Sequence, residues 1–545
     1  MRLSPSSPTF RGVHRILLAG KNMQALARLY YDLLPLLERD PRLHLAFTVI
    51  PGSHFEWAAH RFIGEREREG GAVVVDWSKV DGYAPGLVVS CSPTAELFAL
   101  GVPFMVVTHG AGNNRLREDL SGVYGLAPEQ LLGLGRVVDW LPLAGRAALE
   151  QLAEDCPGAL EAAEVVGDLC YQRLWESRDR KSEYRRALGI PRDRLFVVMS
   201  STWGELSLVG ESKLDLLERL FRELPRERFT VGAVPHPNLE HGEGPSIAGL
   251  LGPRLGNGLV MPQVHEGWRA LIAAADLVLG DSGSVTQYAG AIGLPIMLAA
   301  FGAEQMPEAG ALAGIGKTAP WLRTDLPLAP QLIAAHARGA FLDFGDIIAR
   351  DLDPAARIVA KSYEMLGLSH REPPAPEALP DPGLHARCGP SRSWRAEVRF
   401  AHGRADCLTF PVSEPEEARG LVVVRYDACR DRRLLAKAKV LLHHGAPLER
   451  DEALLVLDEL LDHWSGCRIA SVRVGEGHLI LAVRNGPWFE VRCDASQTDV
   501  VPAVLEAWLG EFAPDPAGLG APDALVDFEG RFEPPPTLRP LRDRR

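Results

Sequence analysis

The chain has 545 residues, 46% of them hydrophobic and 24% charged, and carries a formal net charge of −12. That composition excludes wholesale disorder, and an acidic balance with no long Lys/Arg run argues against nucleic-acid binding through a basic surface. The length calls for about three or four domains.

The polar start, Met1-Arg2-Leu3-Ser4-Pro5, lacks the apolar centre of a signal peptide. No stretch approaches the roughly 18 apolar residues of a membrane span. A cytoplasmic location is therefore expected, with peripheral membrane contact left open. From residue 13 the pattern alternates between strand and helix. His14 to Ala19, His44 to Ile50, Ala72 to Asp76, Gly86 to Ser90 and Phe104 to Thr108 read as strands. Leu26, Leu29, Tyr30, Leu33 and Leu37 mark one helix face. Ser92-Pro93-Thr94-Ala95-Glu96 carries a helix-capping signature. Short apolar strands separated by helices predict a parallel sheet buried on both faces.

The pattern restarts after a connection at 166–180. Leu195 to Ser200, Phe229 to Val234, Gly258 to Met261, the apolar run at Leu277 and Gly293 to Leu298 read as strands. Glu183 to Leu188, Lys213 to Leu224, Gly267 to Ala275 and 331–367 read as helices. Glu372-Pro373-Pro374-Ala375-Pro376 marks a semi-rigid spacer. Beyond it, strands at Trp394, Cys407, Leu421, Ile469, His478 and Trp488, with helices at Asp451 to His463 and Val500 to Leu509, predict a smaller α+β domain. The fold class is α/β: two Rossmann-like domains plus a C-terminal α+β domain. The expected boundaries are a flexible 1–12, an acceptor domain 13–165, a donor-nucleotide domain 166–345, a bracing helix 346–370, a linker 371–392, the α+β domain 393–512 and a loosely ordered tail 513–545.

Ligands of doubly wound sheets bind beyond the carboxyl ends of the strands. His109-Gly110, Thr202-Trp203, His236 and Asp281-Ser282-Gly283-Ser284 all sit just past strand ends. The last of these combines hydroxyls with free backbone N–H groups at the positive end of a helix, which suits a diphosphate. His109 suits a general base beside a glycine that allows close approach. Arg115 follows within reach of a phosphate, and the rigid Pro235-His236-Pro237 places a second imidazole at a strand end. Gly314-Ile315-Gly316-Lys317-Thr318 is not a phosphate loop, because Ala311 stands where the motif needs glycine. The eight cysteines form no CxxC pair, so no zinc or redox motif is expected. His443-His444 has no partner ligands at metal spacing and reads as structural or surface. No metal and no cofactor are expected.

The order of these motifs resembles the glycosyltransferase B architecture, and within it the CDP-glycerol glycerophosphotransferases of teichoic acid synthesis. The shared pattern is His109-Gly110, Thr202-Trp203, His236-Pro237 and Asp281-Ser282-Gly283-Ser284. The resemblance implies His109 as the base that activates an acceptor hydroxyl, with His236, Ser282 and Ser284 contacting the donor pyrophosphate. Asn113-Asn114-Arg115 replaces the family's lysine, and Gly204-Glu205 stands where an arginine commonly follows Thr-Trp. Asp-Ser-Gly-Ser is also similar to the Asp-Ser-Gly-Gly of UDP-N-acetylglucosamine 2-epimerases, although Thr286-Gln287 replaces their acidic continuation.

The expected function is transfer of a glycerol-phosphate, alditol-phosphate or glycosyl group from a nucleotide-diphosphate donor, a CDP-alditol or nucleotide sugar, to a hydroxyl acceptor in cell-envelope or polysaccharide synthesis. His109 and His236 are the expected catalytic residues. Thr202, Asp281, Ser282, Gly283 and Ser284 are expected at the donor, and Gly110 and Arg115 at the acceptor or a phosphate. A 2-epimerase-like isomerase and a non-catalytic binding protein of the same fold are the alternatives.

Overall fold

A computed structural model describes residues 13–53, 56–108, 110, 113, 115–117, 122–212, 214–240, 246–263, 265–308, 310–401, 404–512 and 537–540. In the first half, β1 (His14–Gly20), β2 (Leu43–Val49), β3 (Leu87–Ser90) and β4 (Phe104–Val106) form a parallel sheet of order β2-β1-β3-β4. Alternation along β1 divides its side chains between two cores. Ile16 and Leu18 pack with Leu26, Phe47, Ile358 and Val359, whereas Leu17 and Ala19 pack with Val88, Phe104, Leu141 and Leu152. A strand buried on both faces has to be apolar throughout, which is why the run Ile16-Leu17-Leu18-Ala19 carries no polar residue. Two small pairings follow, β5 (Leu132–Gly133) with β6 (Arg136–Val137) and β7 (Leu141–Leu143) with β8 (Ala163–Val165).

The second half repeats the plan. β9 (Leu195–Ser201), β10 (Phe229–Pro235), β11 (Leu277–Gly280) and β12 (Ile296–Leu298) make a sheet of order β10-β9-β11-β12, with β11 parallel to both β9 and β12. Helix Pro354–Met365 returns to the first half. Its Ala355, Ile358, Val359 and Tyr363 enter that core, its Arg357 pairs with Glu164 at 2.6 Å, and the Tyr363 hydroxyl donates to Asp40 at 2.7 Å.

The chain divides into two compact units. The first holds the first α/β half and most of the second: residues up to Leu216, Gly232–Gly249 and Met261–His385. The second takes in Leu217–Val231, Leu250–Val260 and everything from Ala386. Its centre is an eight-stranded sheet of β13 (Ser393–Ala401), β14 (Arg404–Pro411), β15 (Leu421–Arg425), β16 (Val440–His443), β17 (Ile469–Gly475), β18 (His478–Val483), β19 (Trp488–Arg492) and β20 (Thr537–Pro540), in the order β14-β13-β15-β16-β17-β18-β19-β20. β15, β16 and β17 run parallel and the other neighbours antiparallel. Helix Val501–Phe512 covers one face, over Val423, Leu442 and Leu481. Helices Arg432–Lys437 and Arg450–His463 cover the other, over Leu441, Val472 and Ile480.

Several local expectations change. Ala72 to Asp76 is not a strand; it makes a single bridge, Val74 to Phe47, at the sheet edge. Gly258 to Met261 is irregular backbone that opens on Gly258 at φ +98°. The helix expected at 331–367 is two, Leu328–Arg338 and Pro354–Met365, parted where Gly339 takes φ +74°. The helix expected from Lys213 begins at Asp215, after Leu214 at φ +72°. β16 and helix Arg432–Lys437 were not expected, and part of the tail, β20, adds to the sheet edge on β19.

Candidate functional site

In the first unit, strand ends from both halves meet. β11 stops at Gly280, where any Cβ would run into Thr286 of the following helix; glycine alone permits so tight a strand-to-helix turn. Helix Ser284–Ala291 then starts from Gly283, an extended N-cap with no side chain to bond the first turn. Its first N–H groups form the kind of electropositive end that binds anions. Ser284 occupies the first helical position, and the Ser282 carbonyl accepts from Gln287 Nε2 at 3.2 Å.

Asp281, 1% exposed, serves this turn from behind. Its Oδ1 accepts the Gly283 N–H at 2.8 Å, and its Oδ2 accepts the N–H groups of Thr202 at 2.9 Å and Leu208 at 3.0 Å. Burial pushes its carboxyl above the ordinary value, although these backbone bonds oppose the shift. Asp281 thus ties the loop after β9 to the turn after β11 and places Thr202 and Trp203 beside Gly283, whose Cα hydrogens face Thr202 so closely that a Cβ would lie 3.1 Å from Thr202 Cβ.

From the other half, the backbone after β4 reaches the same spot: a Cβ on Gly110 would lie 2.6 Å from Ser284 Oγ. The Arg115 guanidinium stacks 4.7 Å over the Trp203 ring, and Trp203, 38% exposed, has its ring centroid 6.4 Å from that of His236. A side chain at Gly204 would point at Arg115, its Cβ 3.9 Å from Nη2. Glycine stands after Thr-Trp in this chain, and the guanidinium beside it comes from the opposite half. His236 Nδ1 accepts the Asn238 N–H at 3.1 Å, which leaves Nε2 to carry the proton of the neutral ring. His109 lies outside the described residues.

Sequence reasoning gave no site role to Lys21, Gln24, Thr94, Glu96 and Asn238. Lys21, just past β1, pairs with Glu96 at 3.0 Å, and the Thr94 hydroxyl donates to the same carboxylate. Burial pushes the Glu96 carboxyl up, but hydrogen bonds from Thr94, from its own backbone N–H and from Lys21 outweigh it and hold the group below its ordinary value. Glu96 therefore serves this pair, and helix Glu96–Ala99 starts from Ala95 without the side-chain cap expected of Ser92 to Glu96. Gln24 Nε2 donates to Asn238 Oδ1 at 2.8 Å, joining the helix after β1 to the His236 loop. The signal was available: Lys21-Asn22 follows β1 as Gly110 follows β4.

Gly314 to Thr318 is helical, within Ala311–Thr318. Among the described residues no group of three or more His, Cys, Asp or Glu could hold a metal ion, and no helix is long and apolar enough to cross a membrane. None of the eight cysteines, all of them described, is in a disulfide. In the second unit, His444 lies between Asp499 Oδ1 at 3.0 Å and Ser471 Oγ at 2.8 Å. The order acid, imidazole, hydroxyl is that of a nucleophilic triad. Ser471 is wholly buried in β17, however, so the three side chains tie β16 and β17 to the start of helix Val501–Phe512.

No family model matches the chain, and no curated protein matches it. Among solved structures, the wall teichoic acid polymerase TagF is similar at 14% identity and a TM-score of 0.41, covering 65% of this chain and 89% of that one. A UDP-GlcNAc 2-epimerase from Neisseria meningitidis bound to UDP-GlcNAc is similar at 14% identity and a TM-score of 0.40, covering 64% and 100%. Anabaena HepE in complex with UDP and glucose is similar at 16% identity and a TM-score of 0.36, covering 65% and 99%.

Proposed function

We propose that the first unit is a transferase that moves a glycerol-phosphate, alditol-phosphate or glycosyl group from a nucleotide-diphosphate donor to a hydroxyl acceptor. The observation that carries this reading is the meeting of Gly110 with Ser284, which sets a strand end of one half against a helix N-terminus of the other. The donor diphosphate lies at the first turn of helix Ser284–Ala291, where the hydroxyls of Ser282 and Ser284 and the open N–H groups receive it. Arg115 adds a full positive charge from the facing half, and His236 offers an Nε2–H to the departing nucleotide phosphate. Fixed dipoles and cations of this kind, aimed at charge that grows as the donor bond breaks, supply transition-state stabilisation without a bound metal. His109 takes the acceptor proton. Asp281 orients the site by holding the Thr202 loop and makes no direct contact with the donor.

The test is thermal shift of the full chain with CDP-glycerol, CDP-ribitol, UDP-, GDP- and dTDP-sugars, and free nucleotides. A ligand at 100 times its dissociation constant stabilises the native state by about 2.7 kcal/mol. One nucleotide class should raise the melting temperature, and Ser284→Ala should abolish the rise. No shift with any compound would refute the donor site. Conversion of a UDP-sugar to its epimer with no acceptor present would replace transferase by isomerase.

A further inference from the structure

Beneath this site the two halves share a set of ionisable side chains almost completely removed from water. Asp168, the N-cap of helix Leu169–Ser177, receives the Tyr171 N–H on Oδ1 at 2.8 Å; on Oδ2 it receives Arg28 Nη2 at 2.8 Å and the Tyr288 hydroxyl at 3.0 Å. Asp32, in the π-helical turn Leu29–Leu33, lies 3.0 Å from Arg28, 2.9 Å from Arg173 and 2.9 Å from Arg269. Glu266 pairs with Arg173 at 3.0 Å and also with Arg269. Arg28, Arg173 and Arg269 thus face Asp32, Asp168 and Glu266, and the charges balance. A buried set of this kind tolerates no loose member, because a stranded charge is far costlier than a paired one.

Two of its members connect directly to the cleft. Tyr288 sits one turn into the helix that begins at Ser284, and Arg28 ends helix Met23–Arg28, whose Gln24 holds Asn238 beside His236. One carboxylate therefore carries hydrogen bonds from the donor-side helix and from the facing half. We propose that Asp168 is a positioning residue that couples the two sides of the cleft: through Tyr288 it sets the helix bearing Ser284, and through Arg28 the helix bearing Gln24. The coupling is mechanical in origin; only its effect on donor binding rests on the transferase reading.

The experiment uses Tyr288→Phe in the full chain. This change deletes one hydrogen bond, leaves Asp168 its bonds to Arg28 and Tyr171, and keeps the ring against Trp268, 6.0 Å away, and under Arg28, 5.9 Å away. Hydrogen exchange followed by mass spectrometry should show amides of Ser284–Ala291 and of Met23–Arg28 exchanging about fivefold faster, the effect of one lost hydrogen bond on a local opening. Amides of β2 serve as the control for global destabilisation and should not change. Faster exchange confined to Ser284–Ala291, or shared equally by β2, would overturn the coupling. Titration with CDP-glycerol and UDP-GlcNAc forms the second arm. If the wild type binds either probe, Tyr288→Phe should weaken it about fivefold, as one lost hydrogen bond does, and an unchanged affinity would overturn the positioning role. If the wild type binds neither, the donor reading fails while the exchange result still decides the coupling.

Discussion

Asp281 offers a graded test of how the site is held. Three backbone N–H groups converge on its carboxylate at 2.8 to 3.0 Å, two on Oδ2 and one on Oδ1. Asparagine is nearly isosteric but has one acceptor end. Its better orientation keeps the carbonyl toward Thr202 and Leu208 and turns the NH2 toward the Gly283 N–H, donor against donor. Leaving one buried donor unsatisfied costs about 1–3 kcal/mol. Alanine leaves all three N–H groups without the acceptor; water relieves the less buried ones, so Asp281→Ala should cost about 3–5 kcal/mol. At about 2 °C per kcal/mol for a unit of this size, the Asn variant should melt about 4 °C and the Ala variant about 8 °C below wild type. Differential scanning calorimetry of the full chain measures both. Tryptophan emission should shift to the red in the Ala variant as the loop bearing Trp203 loosens. Equal melting temperatures for the two variants, or an Asn variant identical to wild type, would show that the carboxylate does not hold this turn by both oxygens.

Two further outcomes follow from close packing and from charge. Gly290→Ala would place a Cβ 2.5 Å from Phe344 Cζ and 2.6 Å from Ile296 Cδ1, in a wall that cannot yield because Phe344 is fully buried, so it should lower stability in urea by about 1–3 kcal/mol. Gly314→Ala, also mid-helix but with open space around it, should instead raise stability by about 0.5–1 kcal/mol; loss in both would refute the packing explanation. The hydrogen bonds from Arg42, with help from Tyr363, hold the Asp40 carboxyl well below the usual carboxylate range. A depressed carboxylate contributes stability above its unfolded value of about 3.9 and loses it as pH falls toward the folded value. Asp40→Asn should therefore flatten the stability profile below about pH 4, and an unchanged acid limb would count against the pairing.

What could be read from the sequence was whatever a segment fixes by itself. The runs Ile16 to Ala19 and Leu277 to Gly280 announce strands because burial on both faces leaves no room for a polar side chain. The small-residue turn Asp281 to Ser284 announces a helix start for an equally local reason. Ala72 to Asp76 and Gly258 to Met261 have the same local character and fail as strands. A strand is completed by a neighbour, and Val74 finds one residue of β2 to pair with rather than a ladder. β16 shows the converse. Val440-Leu441-Leu442-His443 was passed over in the sequence, yet β15 and β17 on either side of it make it a central strand.

The same division runs through the candidate site. Position past a strand end was legible for Gly110, Thr202, His236 and Ser284, because it follows from element order. Direction was not. Asp281 shares the motif of Ser282 and Ser284, but its carboxylate turns to the backbone of Thr202 and Leu208, and nothing in Asp-Ser-Gly-Ser specifies that choice. The residues that join the halves were least visible of all. Arg28 and Asp32, and likewise Glu266 and Arg269, stand one helical turn apart, but the segments that carry them, Asp168, Arg173 and Tyr288 are distant in sequence, and each alone resembles an ordinary surface residue. Only the fold removes them from water together, and once it does, their pairing becomes obligatory. The departure after Thr-Trp has the same logic. The sequence shows a glycine where a cation was expected, which by itself suggests a weakened anion site. The fold brings Arg115 over Trp203 from the other half, so that the cation beside this loop is one that depends on the two halves being together.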